Sequence, residues 1–301
     1  MLKKMLRISA LMLFSIIMIV TFVKADYGLC NNASFSPTHV GTSPTGVKMN
    51  STTNFIFIDN TNDKIRFYNS TGLNTKNITL QSGAYIDIAI NRSSGLADHF
   101  WIAEFNTVRL LEMNSSGGII NNISITDKGI SRIDGMDTLD GETFYFTNGA
   151  TQTIQTLSSN FTKLTTCEAR TLGMTFIGEI AVAGNGANPP TIWLVSDTDG
   201  IIKHITNNCE TIKSYNINFS LKGLVSSIAT YDNKTIAVYS RNLNRVINFT
   251  NDTQAPSLDG IRLNSTIFQS DDTINITFGV TDNCLQRSAN LITNITGRFA
   301  N

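Results

Sequence analysis

The feature that most constrains this chain is a tandem repeat. An alternating apolar strand, a short turn rich in Asn, Asp and Gly, and a second alternating strand recur five times. The first strands begin at residues 55, 100, 144, 192 and 236, in steps of 45, 44, 48 and 44. The second strands begin at 65, 108, 154, 202 and 246, in steps of 43, 46, 48 and 44. A third strand precedes each pair and uses small residues, as in Asp87-Ile88-Ala89-Ile90 and Ser227-Ile228-Ala229-Thr230. Small side chains suit an innermost strand where sheets converge on an axis. Stretches such as Ile78-Thr79-Leu80, Ile123-Ser124-Ile125 and Tyr215-Asn216-Ile217 supply an outer fourth strand. Four antiparallel strands per period of about 45 residues predict an all-β fold, a β-propeller. A β-sandwich or β-helix also uses many short strands, but neither requires two strands in fixed phase at that period.

Residues 26–252 number 227, which at about 45 residues per blade gives five blades, with six as the alternative. The fifth unit lacks an outer strand, so a segment within Asp26 to Val40 is expected to close the ring there. The first unit reads Pro44-Thr45-Gly46-Val47, then Phe55-Ile56-Phe57-Ile58-Asp59, an Asn-rich turn, and Lys64-Ile65-Arg66-Phe67-Tyr68. This resembles the NHL repeat, with its Pro-x-Gly-Ile, strand ending in Asp, and Arg-Ile-x-x-Phe. Later units keep the rhythm over residues 44–250 and lose most signature letters. The resemblance implies an extracellular or scaffold-type propeller and no particular reaction.

The ends set the compartment. A cationic start, Lys3, Lys4 and Arg7, precedes an almost wholly apolar run from Ile8 to Val23, and Val23-Lys24-Ala25 fits cleavage after Ala25. Residues 1–25 therefore read as a secretory signal, with an uncleaved anchor as the alternative. Four cysteines, at 30, 167, 209 and 284, suit an oxidising compartment, and three connectivities are open. Cys167 with Cys209 is favoured, because the repeat puts both in outer parts of adjacent units. Residues 253–257 read as a linker. Residues 258–301 read as strands resembling the opening of bacterial and archaeal immunoglobulin-like modules, too short for a whole sandwich, so the expectation is a chain truncated relative to a longer parent, with strands packed on the propeller as an appendage as the alternative.

Lys plus Arg and Asp plus Glu are both 23, which leaves no basic excess for a nucleic-acid partner. No Gly-x-Ser-x-Gly elbow, phosphate-binding loop or His-Glu-x-x-His is present. His39, His99 and His204 lie in separate units, His99 and His204 at or within strands read as structural, and Trp101 and Trp193, equivalent in units two and four, read as packing between blades. Asp197-Thr198-Asp199-Gly200 begins like a calcium loop but lacks the later ligands. At the start of the inner strands stand Gly46, Asp87, Arg132, Glu179 and Ser227. Asp87, Arg132 and Glu179 are the candidate ligand-binding residues, facing the axial mouth, where the bland reading is mutual neutralisation. No cofactor is expected; the alternative is one divalent cation such as calcium.

Asn-x-Ser/Thr occurs 15 times. With 33 Asn and 63 Ser plus Thr in 301 residues, chance gives about seven such glycosylation motifs. Asn50, Asn69, Asn91, Asn114, Asn160, Asn233, Asn248 and Asn251 fall on or beside turns of one face of the disc. The opposite turns, 59–63, 104–106, 147–151, 196–200 and 240–244, have none. The expectation is a secreted or cell-surface module, non-catalytic, sugar-coated on one face in a host that glycosylates, and binding an extracellular protein or glycan with the other. A membrane is expected only through an uncleaved signal or a missing C-terminal anchor. The alternatives are an extracellular propeller lyase or metal-dependent hydrolase acting at the axial mouth, and a structural cell-envelope component.

Overall fold

The computed structural model describes residues 29–38, 44–91, 99–105, 107–184, 190–216, 225–251, 257–263, 274–281 and 289–295. The proposed signal, residues 253–256 of the proposed linker, His39, Cys284 and Asn218 lie outside them. Residues Leu29–Asn251 form one unit, a five-bladed β-propeller.

The first strand, β1 (Leu29–Phe35), belongs to the last blade. Blade one is β2 (Pro44–Ser51), β3 (Asn54–Asp59), β4 (Lys64–Tyr68) and β5 (Asn74–Thr79); blade two is β6 (Tyr85–Ile90), β7 (His99–Glu104), β8 (Arg109–Asn114) and β9 (Ile119–Ser124). Blade three is β10 (Ile133–Thr138), β11 (Thr143–Asn148), β12 (Thr153–Ser158) and β13 (Lys163–Glu168); blade four is β14 (Glu179–Ala183), β15 (Thr191–Ser196), β16 (Ile201–Thr206) and β17 (Thr211–Asn216). Each is a four-stranded antiparallel sheet in chain order from the axis outward. Blade five runs β18 (Val225–Thr230), β19 (Thr235–Ser240), β20 (Arg245–Asn251) and then β1. The N-terminal strand thus pairs antiparallel with β20, Phe35 opposite Val246, and the ring closes within the expected segment. By itself, the C-terminal part holds a three-stranded antiparallel sheet of β21 (Ser257–Leu263), β22 (Ile274–Thr281) and β23 (Ala289–Ile295).

Burial follows position in the sheet. The second strands are sandwiched between neighbouring blades and are buried on both faces, as in Phe55 to Asp59 and Ile192 to Ser196. The outer strands of blades one to four bury at most one residue each, such as Ile78 in β5 and Cys167 in β13, and carry Asn, Thr and Lys elsewhere. Those polar side chains keep an outward sheet edge from pairing with another chain. Five apolar clusters fill the five junctions between blades, and the one joining blade five to blade one includes Phe35, Phe57 and Tyr239.

The repeat is visible in backbone conformation as well. Left-handed residues end the turn between second and third strands at Asp63, Val108, Gln152, Gly200 and Asn244, in the same steps of 45, 44, 48 and 44 as the first strands. Trp101 and Trp193 stand opposite Ala89 and Ala181 of the inner strands, where the missing side-chain volume admits an indole. Trp101 packs edge-on against Phe144 of the next blade, centroids 5.0 Å apart. Trp193 stacks on His204 at 4.1 Å, whose imidazole is pushed down to about 4 by burial.

The disulfide joins Cys167 of β13 to Cys209 in the outer turn of blade four, with Cα atoms 5.7 Å apart. It is the pairing favoured from the repeat, and it ties adjacent blades at the perimeter. The side chain of Cys30 lies outside the described residues. No helix among the described residues is long and apolar enough to cross a membrane.

Candidate functional site: a closed axis and two unlike faces

The inner strands face the axis with alternate residues. Opposite Ala103, Thr147, Val195 and Tyr239 of the second strands stand Asp87, Gly135, Glu179 and Ser227. Two residues further on come Lys48, Ala89, Asp137, Ala181 and Ala229. The structure therefore brings Asp87 and Glu179 together as expected and leaves Arg132 elsewhere. Arg132 precedes β10, and Gly135, opposite Thr147, takes the axial place. Only Gly fits, because an added Cβ would lie 2.9 Å from the Glu179 backbone.

The axis is closed by a buried charge network. Lys48 is fully buried and donates from Nζ to Asp87 Oδ2 at 2.8 Å and to the Ile180 carbonyl at 3.0 Å. Glu179 Oε2 lies 3.9 Å from the same ammonium and has no hydrogen bond among the described residues. Asp87 also accepts from the backbone N–H of Met136 at 2.6 Å, Asp137 from that of Val182 at 2.7 Å, and Ser227 Oγ from that of Val47 at 2.8 Å. Each of these last three bonds ties one blade to the next, and Lys48 reaches from blade one to blades two and four. Side chains here do the work that backbone pairing does within a blade.

Protonation follows from the same packing. Burial raises the Glu179 carboxyl well above its ordinary range, repulsion from Asp87 adds to it, and a hydrogen bond that only protonated Glu179 can donate to Asp87 strengthens the effect. Burial likewise raises Asp87, opposed by Lys48. Lys48 is itself raised: its burial works against the charge, and the carboxylates of Asp87, Asp137 and Glu179 together outweigh it. With its proton kept, Glu179 leaves Lys48 facing two carboxylates instead of three. Among the described residues, no three or more His, Cys, Asp or Glu side chains converge to hold a metal.

Arg132 sits exposed beside β10, donating from Nε to Asp134 Oδ1 at 2.6 Å, with its guanidinium 5.8 Å from the Phe105 ring centroid. Asp199, in the calcium-like run, is spent on structure. Its carboxylate accepts from Thr175 N–H at 2.8 Å and Ser196 Oγ at 2.9 Å, which pins the preceding connection to the turn. Blade one, the best match to the family pattern, alone keeps the buried pair of Arg66 Nε on Asp59 Oδ2, 2.6 Å apart. The equivalent pairs are Glu104 with Leu111, Asn148 with Gln155, Ser196 with Lys203 and Ser240 with Ile247.

Antiparallel order assigns the turns to two faces. Turns joining inner to second and third to outer strands lie where the inner strands end (the exit face); those joining second to third lie where the inner strands begin (the entry face). On the exit face, Asn69 Oδ1 accepts from Thr71 N–H, Thr71 Oγ1 and Leu73 N–H at 3.1, 2.7 and 3.0 Å. Asn114 repeats this 45 residues later with Ser116 N–H, Ser116 Oγ and Gly118 N–H at 3.0, 2.7 and 2.8 Å. Both are glycosylation motifs whose carbonyl oxygen is held by the hydroxyl residue, while no bond engages Nδ2. Ser158 and Thr206 occupy the equivalent positions in blades three and four. Asn160 is exposed two residues beyond Ser158, and Asn50, Asn91 and Asn233 lie half-buried at the inner turns. Asn251 ends β20. Asn248 departs from the expectation: it lies within β20, opposite Ala237, with a buried and unbonded Oδ1. None of the described entry-face turns carries the motif.

Neither family models nor curated proteins match this sequence. Among solved structures, the chain is similar to a selenomethionine-substituted virginiamycin B lyase from Staphylococcus aureus, with 16% identity and a TM-score of 0.45 over 69% of this chain. It is similar too to a catalytically inactive variant of that enzyme with quinupristin, with 16% identity and a TM-score of 0.44 over 69% of this chain. The chain covers 66% of the length of each.

Proposed function

We propose that this chain is a non-catalytic recognition or scaffold module of a secreted or cell-surface protein, built on an NHL-like propeller and followed by the start of an immunoglobulin-like stalk. The observation that carries the reading is the occupied axis. Lys48 fills the place where a catalytic propeller would gather open charges, with Asp87 bonded to Lys48 and both Asp87 and Asp137 bonded to backbone of the next blade. Contact then falls to the entry face, which is free of glycosylation motifs among the described residues. The exit face takes the sugars, first at Asn69 and Asn114, whose Nδ2 atoms stand free. The cross-blade disulfide suits an oxidising compartment.

The test is elemental analysis of purified full-length protein together with glycopeptide mapping after secretion from an N-glycosylating host. No stoichiometric divalent metal, and occupancy at Asn69 and Asn114, are expected. A tightly held metal at one per chain returns the reading to a lyase or hydrolase, and empty sites throughout end the coated-face model.

A further inference from the structure

Next to the axis on the entry face lies a concavity of about 510 Å³, within the roughly 300–1,000 Å³ range of small-molecule sites. It is lined by Thr45, Asn60, Tyr85, Ile86, Phe105 and Arg241 with the small Gly83 and Ala84 beneath. Blades one, two and five all contribute, so the hollow exists only in the closed ring.

Its chemistry is one-sided. Arg241 is the one charged side chain in the lining, it is exposed, and among the described residues it has no hydrogen-bonded or ionic partner. The polar groups deeper in are spent on one another. Asn60 Nδ2 donates to Thr45 Oγ1 at 3.0 Å and to the Tyr85 carbonyl, its Oδ1 accepts from Tyr85 N–H at 3.2 Å, and Thr45 Oγ1 donates to the Tyr85 carbonyl at 3.0 Å. What remains is an aromatic surface and a cation. Phe105 is 40% exposed, held by Arg132, which Asp134 anchors in turn. A flat apolar ring beside a free guanidinium matches a ligand with a ring-sized apolar face and one carboxylate. The ring lies on Phe105, and the planar fork of Arg241 takes both carboxylate oxygens. One fork answers one carboxylate; a phosphate site draws on more donors.

We infer that this hollow binds a ring-bearing carboxylate, an acidic saccharide or an aryl carboxylate. The inference rests on the entry face being the contact face. Calorimetric titration of the full chain uses digalacturonate and phenylacetate, with maltose and 2-phenylethanol as neutral counterparts. One carboxylate is expected to bind saturably below about 1 mM, its neutral counterpart at least tenfold more weakly. Binding by digalacturonate assigns the saccharide source, and binding by phenylacetate the aryl one. Arg241→Ala is expected to weaken it by about tenfold or more, and Phe105→Ser in the same direction. Arg109→Ala, on an exposed side chain outside the hollow, should leave it unchanged. Both ligand-site residues are exposed, so unaltered melting temperatures separate lost binding from lost folding. Failure of both carboxylates to bind, or binding indifferent to Arg241→Ala, overturns the inference. Such a failure leaves the metal and glycopeptide results standing, so the broader reading is judged separately.

Discussion

The axis and the perimeter use polar residues in opposite ways. At the axis, a few charges are buried, bonded across blades, and dependent on one another's protonation. At the perimeter, amides and hydroxyls are exposed, bonded within their own turns, and repeated from blade to blade. A few polar residues at the centre thus tie blades together alongside the apolar junctions, while the many at the edge shape their own turns. Damage at the centre should be shared by the whole molecule, whereas damage at the edge should stay local.

The sharpest way to break this contrast is Lys48→Met. It leaves Asp87, Asp137 and Glu179 around an apolar side chain, and removing one partner of a buried ion pair costs about 3 to 5 kcal/mol. Denaturant unfolding should show that loss, with partial recovery in Lys48→Met/Asp87→Asn. A loss under about 1 kcal/mol would mean that the axis does not bind the blades. Next is the disulfide at the perimeter. Cys167→Ser/Cys209→Ser releases a 42-residue separation and should lower stability by about 2 to 4 kcal/mol, without altering the pH response described next.

That response belongs to the axis. Glu179 binds its proton more tightly folded than unfolded, so between the ordinary value of 4.5 and its raised folded value the native state holds more protons. Stability from this group is complete below 4.5 and is lost as pH rises through the folded value. Asp87 acts in the same direction, its folded value also being raised. Buried His204 acts oppositely: its stabilisation is present above 6.5 and is lost as pH falls toward about 4. Glu179 should therefore lower the melting temperature as pH rises from 5 toward its raised folded value. Glu179→Gln, which keeps the shape of the protonated acid, should flatten that decline; an unchanged slope would assign it elsewhere. The smallest effect is expected at the edge. Asn69→Ala or Asn114→Ala should each cost about 1 kcal/mol through lost turn bonds, with effects that add, since the turns lie in different blades.

The architecture was legible because duplication fixes phase. Strand starts, left-handed turn residues and polar turn anchors all advance in the same steps, and an unpaired fifth blade pointed to the N-terminal segment. The disulfide followed from the same phase. The axis was less legible. Asp87 and Glu179 could be found because charge at an inner-strand start is unusual, but β10 begins only at Ile133, so Arg132 lies three residues before the axial position that Gly135 holds. Lys48 and Asp137 were missed, although alternation from Gly46 and Gly135 places both on the axial side. A lone Lys in an apolar strand looks like a solvated edge until its facing carboxylates are known. The hollow beside Phe105 had no sequence signal, since it is assembled from three blades far apart in the chain.

The strand that seals the ring is also the one made earliest. Its partner β20 begins at Arg245, 210 residues after Phe35, which at about 5 to 20 residues per second is about 10 to 40 s of synthesis. Throughout that interval the nascent chain carries a strand that has nowhere to go. Ring closure therefore waits on β20, however early the intervening sheets are complete.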